Sequence, residues 1–400
     1  MDIIIIGAGA AGLMAARELS VRHQVTVLEA KDVIGGRIHT IRQGIEAGAE
    51  FVHGKLPVTL NLLKDAQLSY TAVGGNMYTV ENGQWSKEEN FIDGWDELLD
   101  KMGAIKDDMT LMEFLETHFA ENRYADLRNE ITRYVHGFDL ANPSRVSVKY
   151  LYKEWTNEDE TNFRIDQGYC EMINYLAKGI HIITGNPVTH IHWENGHVKV
   201  LTRNGTSYTA QKLIITTSIG VLQHGSIHFT PAIDDYTNAA SHIGWGSVIK
   251  IVLEFEKPFW KTDTGFIFTK GKIPTWWTQS PNKAAILTGW LGGPPAEQYK
   301  QVPNEEILQT ALHTLAEIFG TTLPPLVSSH ISNWVQDPEI LGSYSYDTPI
   351  SENARRLLNT PLHDTIYFAG EALYAGKHPG TVEAALVSGK EVAGKIGVGD

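Results

Sequence analysis

Residues 1–13 read MDIIIIGAGAAGL, and this stretch decides the fold. Residues 3–6 are four isoleucines, which is typical of a strand buried on both faces of a parallel sheet. The glycines that follow open a helix, and each has a mechanical role. Gly7 makes the tight turn, Gly9 lets a pyrophosphate approach the backbone, and Gly12 lets the helix pack closely on the strand. The helix N-terminus offers free N–H groups and a positive dipole end to that pyrophosphate.

A second strand, predicted over residues 24–28, ends at Glu29, seventeen residues after Gly12. A carboxylate at this place accepts hydrogen bonds from ribose hydroxyls and repels a 2′-phosphate. A GxGxxG pattern also occurs in ordinary glycine-rich turns, but the order of strand, turn, helix, strand and acid favours a dinucleotide site. That order alone does not separate NAD from FAD.

The composition restricts the class of protein. A chain of 400 residues is too long for one small core, so we expect two domains or one elaborated domain. The hydrophobic share of 42% and the charged share of 20% are typical of a soluble globular protein. The formal charge of −14 argues against nucleic acid as a partner. It is compatible with a cationic substrate, although solubility is the commoner use of an acidic surface.

Cysteine usage and hydropathy bear on location. Cys170 is the only cysteine, so the chain forms no internal disulfide and its redox compartment is unconstrained. No apolar run approaches the roughly 20 residues of a membrane span. The apolar residues 3–6 follow Asp2 without a basic segment, unlike a signal peptide. We therefore expect a cytoplasmic protein with no membrane contact.

Periodicity predicts helices over residues 92–102 and 111–119, with Thr110 and Glu113 at the spacing of a capping box. The acidic residues 158–160 are predicted to form a solvated loop. Asn195-Gly196 between two alternating runs predicts a hairpin over residues 188–202. Further elements are predicted as strands over residues 213–215, 247–255, 286–290 and 366–369, and as helices over residues 304–319 and 381–396.

The motifs of the chain, taken together, resemble the flavin-containing amine oxidases, which include monoamine and polyamine oxidases. The resemblance rests on segments that follow the family's order along most of the chain: GAGAAGL, VLEAKDVIGGR, GAEFVHG, GFDLANPSRVSV, FRIDQGYCEMINYLA, IITTSIGVL, KIVLEF with EKPFW, WVQDPEILGSYSY and YFAGEALYAGKHPGTVEAALVSGKEVA. These segments are specific for the superfamily and carry little information about the substrate.

The resemblance implies an α/β fold in which a Rossmann-like FAD-binding domain is interrupted by a substrate-binding domain of mixed β-sheet flanked by helices. The implied FAD-binding domain comprises residues 1–75, 176–245 and 341–400. The implied substrate-binding domain comprises residues 76–175 and 246–340.

The resemblance also implies FAD as the cofactor. The cysteine that tethers the flavin in monoamine oxidases has no counterpart in the C-terminal section, so FAD is expected to bind non-covalently. The implied contacts with FAD are made by Gly7, Gly9, Ala10, Ala11, Gly12, Glu29, Ala30, Gly36, Arg37, Gly48, Ala49, Glu50, Phe51, Val188, Thr217, Trp334, Gly370, Glu371, Thr381 and Val382. Among them Arg37 is expected at phosphate, Val188 at adenine, and Thr381 with Val382 at the pyrimidine edge of the flavin.

Three residues are implied in catalysis. Lys250 matches the lysine that holds a water near flavin N5 in the family; otherwise, it is a lysine that reaches from an edge strand to solvent. His53 matches a histidine near the substrate in polyamine oxidases, and it either polarises a substrate nitrogen or caps its loop. His378 takes the place of a family tyrosine, and it either lines the active site or faces water.

The implied reaction removes a hydride from the carbon next to an amine nitrogen and gives it to flavin N5. The imine then hydrolyses, and O2 reoxidises the flavin to yield H2O2. Two alternatives stay open: a flavin desaturase or dehydrogenase on the same fold, and a flavin-binding protein without oxidase turnover. An amino-acid oxidase would need an arginine for the substrate carboxylate, for which Arg145 and Arg164 are available. The expected partners are a small amine and O2, with a possible homodimer and no metal.

Overall fold

The computed structural model describes residues 1–81, 83–87, 92–157 and 161–397. The chain divides into two compact units. The first unit comprises Met1–Tyr70, Ile165–Trp245 and Asp337–Asp400, and the second comprises Thr71–Arg164 and Gly246–Gln336. The predicted assignment of one domain to FAD and the other to substrate stays a prediction. The predicted loop over residues 158–160 lies outside the described residues.

The described residues form both α-helices and β-strands. The α-helices are α1 (Ala10–Leu19), α2 (Pro57–Asp65), α3 (Trp95–Ala104), α4 (Leu111–His118), α5 (Ala125–Gly137), α6 (Val148–Asn157), α7 (Tyr169–Ala177), α8 (Ile219–His224), α9 (Asp234–Ser241), α10 (Pro294–Glu297), α11 (Asn304–Phe319), α12 (Ser351–Leu358) and α13 (Val382–Gly397). The strands are β1 (Asp2–Ile6), β2 (Gln24–Leu28), β3 (Thr40–Arg42), β4 (Ile45–Glu46), β5 (Val52–His53), β6 (Tyr70–Ala72), β7 (Asn76–Glu81), β8 (Gln84–Lys87), β9 (Asn162–Ile165), β10 (His181–Ile183), β11 (Val188–Glu194), β12 (His197–Thr202), β13 (Ser207–Ala210), β14 (Lys212–Ile215), β15 (His228–Thr230), β16 (Gly244–Trp245), β17 (Val248–Phe255), β18 (Thr264–Phe268), β19 (Thr275–Thr278), β20 (Ile286–Gly292), β21 (Leu326–Asn333), β22 (Ser345–Tyr346) and β23 (Ile366–Phe368).

The first unit is built on a five-stranded parallel sheet with the order β10-β2-β1-β14-β23. β1 lies at its centre, and its four isoleucines are at most 4% exposed. A strand with neighbours on both sides and helices over the sheet must be apolar on both faces, which is why the run of isoleucines carries no polar alternation. The predicted strands over residues 24–28, 213–215 and 366–369 are present as β2, β14 and β23, within one residue at each end.

α1 and α13 pack directly on each other in the first unit. A Cβ added at Gly389 of α13 would lie only 2.2 Å from the carbonyl oxygen of Ala11 in α1. The two helices therefore approach as closely as they do because this position has no side chain. This contact joins the N-terminal strand–turn–helix to the last helix of the chain.

The predicted hairpin is also present in the first unit. β11 and β12 pair antiparallel, and Gly196 in the connection has φ +74°, as a tight hairpin turn requires. With β13 and β15 they form a separate four-stranded sheet.

The second unit is built on a mixed seven-stranded sheet with the order β21-β17-β20-β19-β18-β7-β8. One face of β17 carries Ile249, Ile251 and Leu253, which form a core cluster with α11. Residue alternation places Lys250 on the opposite face. The two faces of the sheet therefore differ: one packs on α11, and the other carries Lys250, which is also buried.

Helices α3 to α6 complete the second unit. The predicted capping box at α4 is present, because the Thr110 hydroxyl accepts from Glu113 N–H at 3.3 Å and the Glu113 carboxylate accepts from Thr110 N–H at 2.9 Å. α3 begins at Trp95, three residues later than predicted. Gly94 before it is left-handed (φ 84°), which periodicity does not reveal.

The close contact between α1 and α13 predicts a position-specific effect of glycine replacement within one helix. Gly389→Ala is expected to destabilise the protein by about 1–3 kcal/mol, because the new Cβ meets the Ala11 carbonyl. Gly394→Ala is the matched control, since a Cβ at Gly394 meets nothing within 4 Å. This control is expected to stabilise by about 0.4–1 kcal/mol. Urea unfolding of both variants measures the difference, and equal effects would contradict the packing described here.

Candidate functional site

The glycine-rich turn after β1 is shaped by close backbone contacts. Gly7 has φ +106°, which favours glycine, and a Cβ at Gly12 would lie 2.0 Å from the Gly7 carbonyl oxygen. Gly35 N–H donates to the Ala8 carbonyl at 2.9 Å, and Gly9 forms a bridge with Gly35. The predicted phosphate-binding segments over residues 7–12 and 35–37 therefore lie side by side.

Glu29 lies at the end of β2 and is 6% exposed. Its Oε2 accepts from Ala8 N–H at 2.7 Å, and its Oε1 accepts from Lys31 N–H at 3.0 Å. Burial raises the pKa of Glu29 from its usual value, against the effect of these N–H groups. Asn186 N–H donates to the Glu29 carbonyl at 2.8 Å, which places Val188 and the start of β11 near the same strand end. Glu29 and Val188, the predicted contacts for ribose and adenine, therefore lie near each other.

Arg37 is held by protein groups on one of its nitrogens. Its Nη1 donates to Glu371 Oε2 at 3.0 Å and to the carbonyl of Ser343. A Cβ at Gly48 would lie 2.0 Å from the Arg37 carbonyl oxygen, so the predicted loop over residues 48–51 follows the arginine closely. The structure brings Arg37 and Gly48 together with Glu371, which lies more than 300 residues further along the chain.

A small cavity adjoins Arg37 in the first unit. It is lined by Arg37, Ile215, Thr217, Ser218, Ile219, Leu222, Phe368, Ala369, Gly370, Glu371, Ala372 and Leu373. The Thr217 hydroxyl oxygen is buried and finds no hydrogen-bond partner among the described residues. A buried hydroxyl without a partner is unfavourable unless a ligand supplies one. The glycine turn, Glu29, Arg37 and this hydroxyl fit the diphosphate and ribose groups of a dinucleotide.

The N-terminus of α13 is anchored by two side chains. The Thr381 hydroxyl accepts from Ala384 N–H at 3.2 Å and donates to the His378 carbonyl at 2.7 Å. Glu383 is 2% exposed, and its carboxylate accepts from Val58 N–H at 2.9 Å and Thr59 N–H at 2.7 Å. Glu383 thereby caps α2, whose own N-cap residue provides no side-chain hydrogen bond.

The predicted histidines lie in the first unit. His53 ends β5, is half-buried, and has its ring 6.1 Å from the Phe51 ring in an edge-on arrangement. His378 lies in the loop before α13 and is also half-buried. Of the loop residues predicted beside the cofactor, Glu50 is 6% exposed.

Lys250 and Trp334 lie in the second unit. Lys250 is 1% exposed, on β17 between Trp290 of β20 and Ser332 of β21. Its Nζ lies 5.5 Å from the centre of the Trp277 ring, which is a cation–π contact. The alternative interpretation, a lysine that reaches solvent from an edge strand, is wrong because β17 has a neighbouring strand on each side and Lys250 is buried.

Aromatic rings continue the surface around Lys250. Trp277 lies 5.7 Å from Trp290 and 6.1 Å from Phe266, measured between ring centres, and Phe266 stacks near Phe268 at 6.5 Å. Strand pairing puts these residues on the Lys250 side of the sheet. We call Phe266, Phe268, Trp277 and Trp290 the aromatic face.

Other predicted candidates have different roles. Arg164 donates to the carbonyls of Thr278 and Ser280 at 3.0 and 2.9 Å, so its guanidinium binds backbone. No group of three or more His, Cys, Asp or Glu side chains able to hold a metal ion occurs in the described part of the chain.

The structure adds residues that the sequence did not indicate. Thr216 donates to the carbonyls of Ile6 and Gly7 at 2.8 and 3.2 Å and so supports the glycine turn. Its place at the end of the predicted strand, beside Thr217, was a signal that could have found it. Glu383 had no such signal, because its partners are more than 300 residues away.

Comparison with known proteins places these features in context. Lysine-specific histone demethylase 2 of Homo sapiens is 29% identical over 443 aligned positions, which cover 99% of this chain and 53% of that protein. The chain thus spans about half the length of that relative. Polyamine oxidase 2 of Arabidopsis thaliana is 28% identical, with 97% of this chain and 86% of that protein covered.

Solved structures agree in fold. Putrescine oxidase bound to putrescine superposes with a TM-score of 0.83 at 21% identity, covering 99% of each chain. Cyclohexylamine oxidase from Brevibacterium oxydans gives 0.82 at 21% identity, covering 100% of this chain and 99% of that one. These likenesses confirm the predicted α/β fold.

No helix in the described ranges is long and apolar enough to span a membrane.

Residues 10–397 match the family model described as "Flavin containing amine oxidoreductase", which is nearly the whole chain. The predicted resemblance is confirmed, and the chain belongs to the flavin containing amine oxidoreductase family.

Proposed function

We propose that this chain binds FAD non-covalently and oxidises small amines, with O2 as the electron acceptor. The observation that carries the proposal is the site in the first unit. Glu29 and residues 35–37 contact the glycine turn, and Arg37 lines the cavity that contains the unsatisfied Thr217 hydroxyl. Family membership supports a flavin rather than a nicotinamide as the ligand of this site.

Each group at the site has a role in binding. The residues 7–12 and the N-terminus of α1 receive the diphosphate, Glu29 accepts from ribose hydroxyls, and Arg37 neutralises phosphate charge. Thr381 and Val382 are assigned to the ring end of the cofactor. The only cysteine is Cys170, next to the N-terminus of α7 and far in sequence from the predicted ring contacts, which supports non-covalent binding.

When bound, the flavin supplies an acceptor for the hydride that leaves the carbon next to the amine nitrogen. The protein must then hold the amine in its neutral form, because the nitrogen lone pair assists the loss of hydride. An aromatic, weakly hydrated surface favours the neutral form, since desolvation disfavours an ammonium. The aromatic face of the second unit supports this role.

We propose Lys250 as the catalytic lysine and His53 and His378 as substrate-side residues. Burial of an ammonium beside aromatic rings is costly in folding free energy, which is a reason to assign Lys250 a function. The relatives named polyamine oxidase and putrescine oxidase support a di- or polyamine as the first substrate to test. The net charge of −14 would also attract a cationic amine. We further propose a cytoplasmic location and a homodimer. Light scattering of the purified protein tests the homodimer.

The central prediction concerns flavin reduction by amines. The purified protein is expected to carry a yellow, acid-releasable flavin that an amine bleaches in the absence of air. Admission of air is expected to restore the colour and release H2O2. The panel comprises a monoamine, putrescine, a longer polyamine, amino acids and a methyl-lysine peptide. A flavin that no member bleaches would refute the oxidase, whereas bleaching without rapid recovery in air would indicate a dehydrogenase.

Glu29 predicts a pH dependence of FAD affinity. The pKa of the buried Glu29 is raised above 4.5, so the side chain takes up a proton at a higher pH than an ordinary glutamate as the pH falls. The protonated form accepts ribose hydrogen bonds less well, so the dissociation constant of FAD is expected to rise towards acid pH. Glu29→Gln is expected to weaken binding by about 10- to 100-fold and to flatten this component of the pH profile. Fluorescence titration of the apoprotein between about pH 5 and pH 8 measures both effects. An unchanged profile in the variant would remove Glu29 from the ribose site.

For Lys250, we predict loss of redox activity with FAD still bound. Lys250→Met keeps the length of the side chain but removes the ammonium, and stopped-flow flavin reduction or reoxidation is expected to slow by about 100-fold or more. Lys261→Met is the control for loss of a cation–π lysine, because exposed Lys261 also lies over aromatic rings of the second unit, 4.5 Å from Tyr78 and 5.2 Å from Trp85. Equal rates in the Lys250 variant and the wild type would exclude it from the mechanism.

The same anaerobic assay tests the two histidines. His53→Asn and His378→Asn are expected to raise the amine concentration needed for half-maximal flavin reduction while FAD affinity stays unchanged. A histidine whose replacement alters neither quantity has only a local structural role.

A further inference from the structure

Arg37 is bound by protein groups in an asymmetric way. Both of its hydrogen bonds, to Glu371 Oε2 and to the Ser343 carbonyl, use Nη1. Its Nε and Nη2 donate to no other group among the described residues, while the guanidinium lies 5.1 Å from the centre of the Trp245 ring. Arg37 also lines the cavity that contains the Thr217 hydroxyl. One edge of the guanidinium is therefore held by protein, and other donors stay available to a ligand.

Glu371 is held in place by groups other than Arg37. It is 4% exposed, and its Oε1 accepts from both Ser345 N–H at 2.8 Å and the Ser345 hydroxyl at 2.6 Å. Two hydrogen bonds to one oxygen hold the direction of the buried carboxylate. Its remaining oxygen can therefore orient Arg37.

Trp245 is fixed as well. Its indole Nε1 donates to the Leu341 carbonyl at 2.6 Å. A Cβ at Gly220 would lie 2.5 Å from this nitrogen, and a Cβ at Gly342 would lie 2.0 Å from it. The indole edge therefore occupies a slot that exists only because both positions are glycine. A ring held in this way presents a fixed π surface to Arg37.

We propose that Trp245, Glu371 and Ser345 form a socket that orients Arg37 for a bidentate contact with a phosphate of the dinucleotide, and that Trp245 is a positioning residue for cofactor binding. The aromatic surface attracts the guanidinium without consuming an N–H donor, which a second carboxylate would do. The socket thus fixes the plane of the guanidinium and leaves donors for phosphate oxygens. The proposal rests on the proposed binding of FAD, and it concerns affinity for the cofactor rather than turnover.

The test is a double-mutant cycle on the apoprotein, with FAD affinity measured by fluorescence titration. Trp245→Leu is expected to weaken FAD binding by about 3- to 30-fold, and Trp245→Phe, which keeps a π surface, by less. Arg37→Met is expected to weaken binding strongly. In the Arg37→Met background, Trp245→Leu is expected to cause little further loss, because its effect passes through the arginine.

Trp193→Leu is the matched control. Trp193 also lies in the first unit, is half-buried, and donates from Nε1 to a carbonyl, that of Pro231, at 2.8 Å. Its ring faces His363 rather than an arginine. This control is expected to lower the melting temperature about as much as Trp245→Leu while leaving FAD affinity unchanged. Glu371→Gln, combined with Arg37→Met in the same way, tests the other wall of the socket if Trp245→Leu does not fold.

The outcomes separate two failures. Equal loss of affinity from Trp245→Leu in both backgrounds, or an equal loss from Trp193→Leu, overturns the socket while FAD binding by the wild type stands. A wild-type chain that binds no FAD overturns the proposed function and the socket together.

Discussion

The first unit is held together by hydrogen bonds from backbone N–H groups to buried glutamate carboxylates. Four of them act across long sequence separations: Glu29 on Ala8, Glu46 on Tyr169, Glu371 on Ser345, and Glu383 on Val58 and Thr59. A helix N-terminus leaves N–H groups without a partner, and a buried carboxylate is unfavourable without donors. A buried glutamate placed at a helix N-terminus therefore satisfies the free N–H groups and its own carboxylate at the same time. α2 and α7 have N-cap residues that make no side-chain bond, and a glutamate from elsewhere in the chain supplies the acceptor.

These contacts also order the candidate site before any ligand binds. Glu29 holds the glycine turn against the end of β2, and Glu371 holds Arg37 beside the cavity. Glu383 ties the start of α13 to α2, four residues after His53. Preorganised groups lose little conformational entropy when a ligand arrives, so the folding free energy that these contacts contribute also favours binding. The stability of this unit and its affinity for a dinucleotide are therefore coupled.

Local patterns in the sequence predicted much of this fold. Four predicted features depend only on residues close together in the sequence, and all are present: the strand of isoleucines, the Asn195-Gly196 turn, the Thr110 capping box and the helix over residues 304–319. The position of Glu29 at the end of β2 could be predicted because its spacing from the glycines is fixed by one strand–helix–strand unit. Trp245 and Glu383 escaped prediction because their partners lie 208 and more than 300 residues away. Such contacts arise only when the fold brings distant segments together, and no periodicity records them.

The second unit shows how strand alternation separates two kinds of surface. In β17, Ile249, Ile251 and Leu253 face α11, so a lysine at any of these positions would lie within an apolar core. Lys250 lies on the other side, where Trp277 offers a π surface at 5.5 Å. An aromatic ring attracts a cation more weakly than a carboxylate does, so this contact by itself offsets only part of the free-energy cost of burying the ammonium. Replacing a buried charged group with an apolar side chain of similar volume is often neutral or stabilising, so the stability of the sheet alone does not account for a lysine at this position.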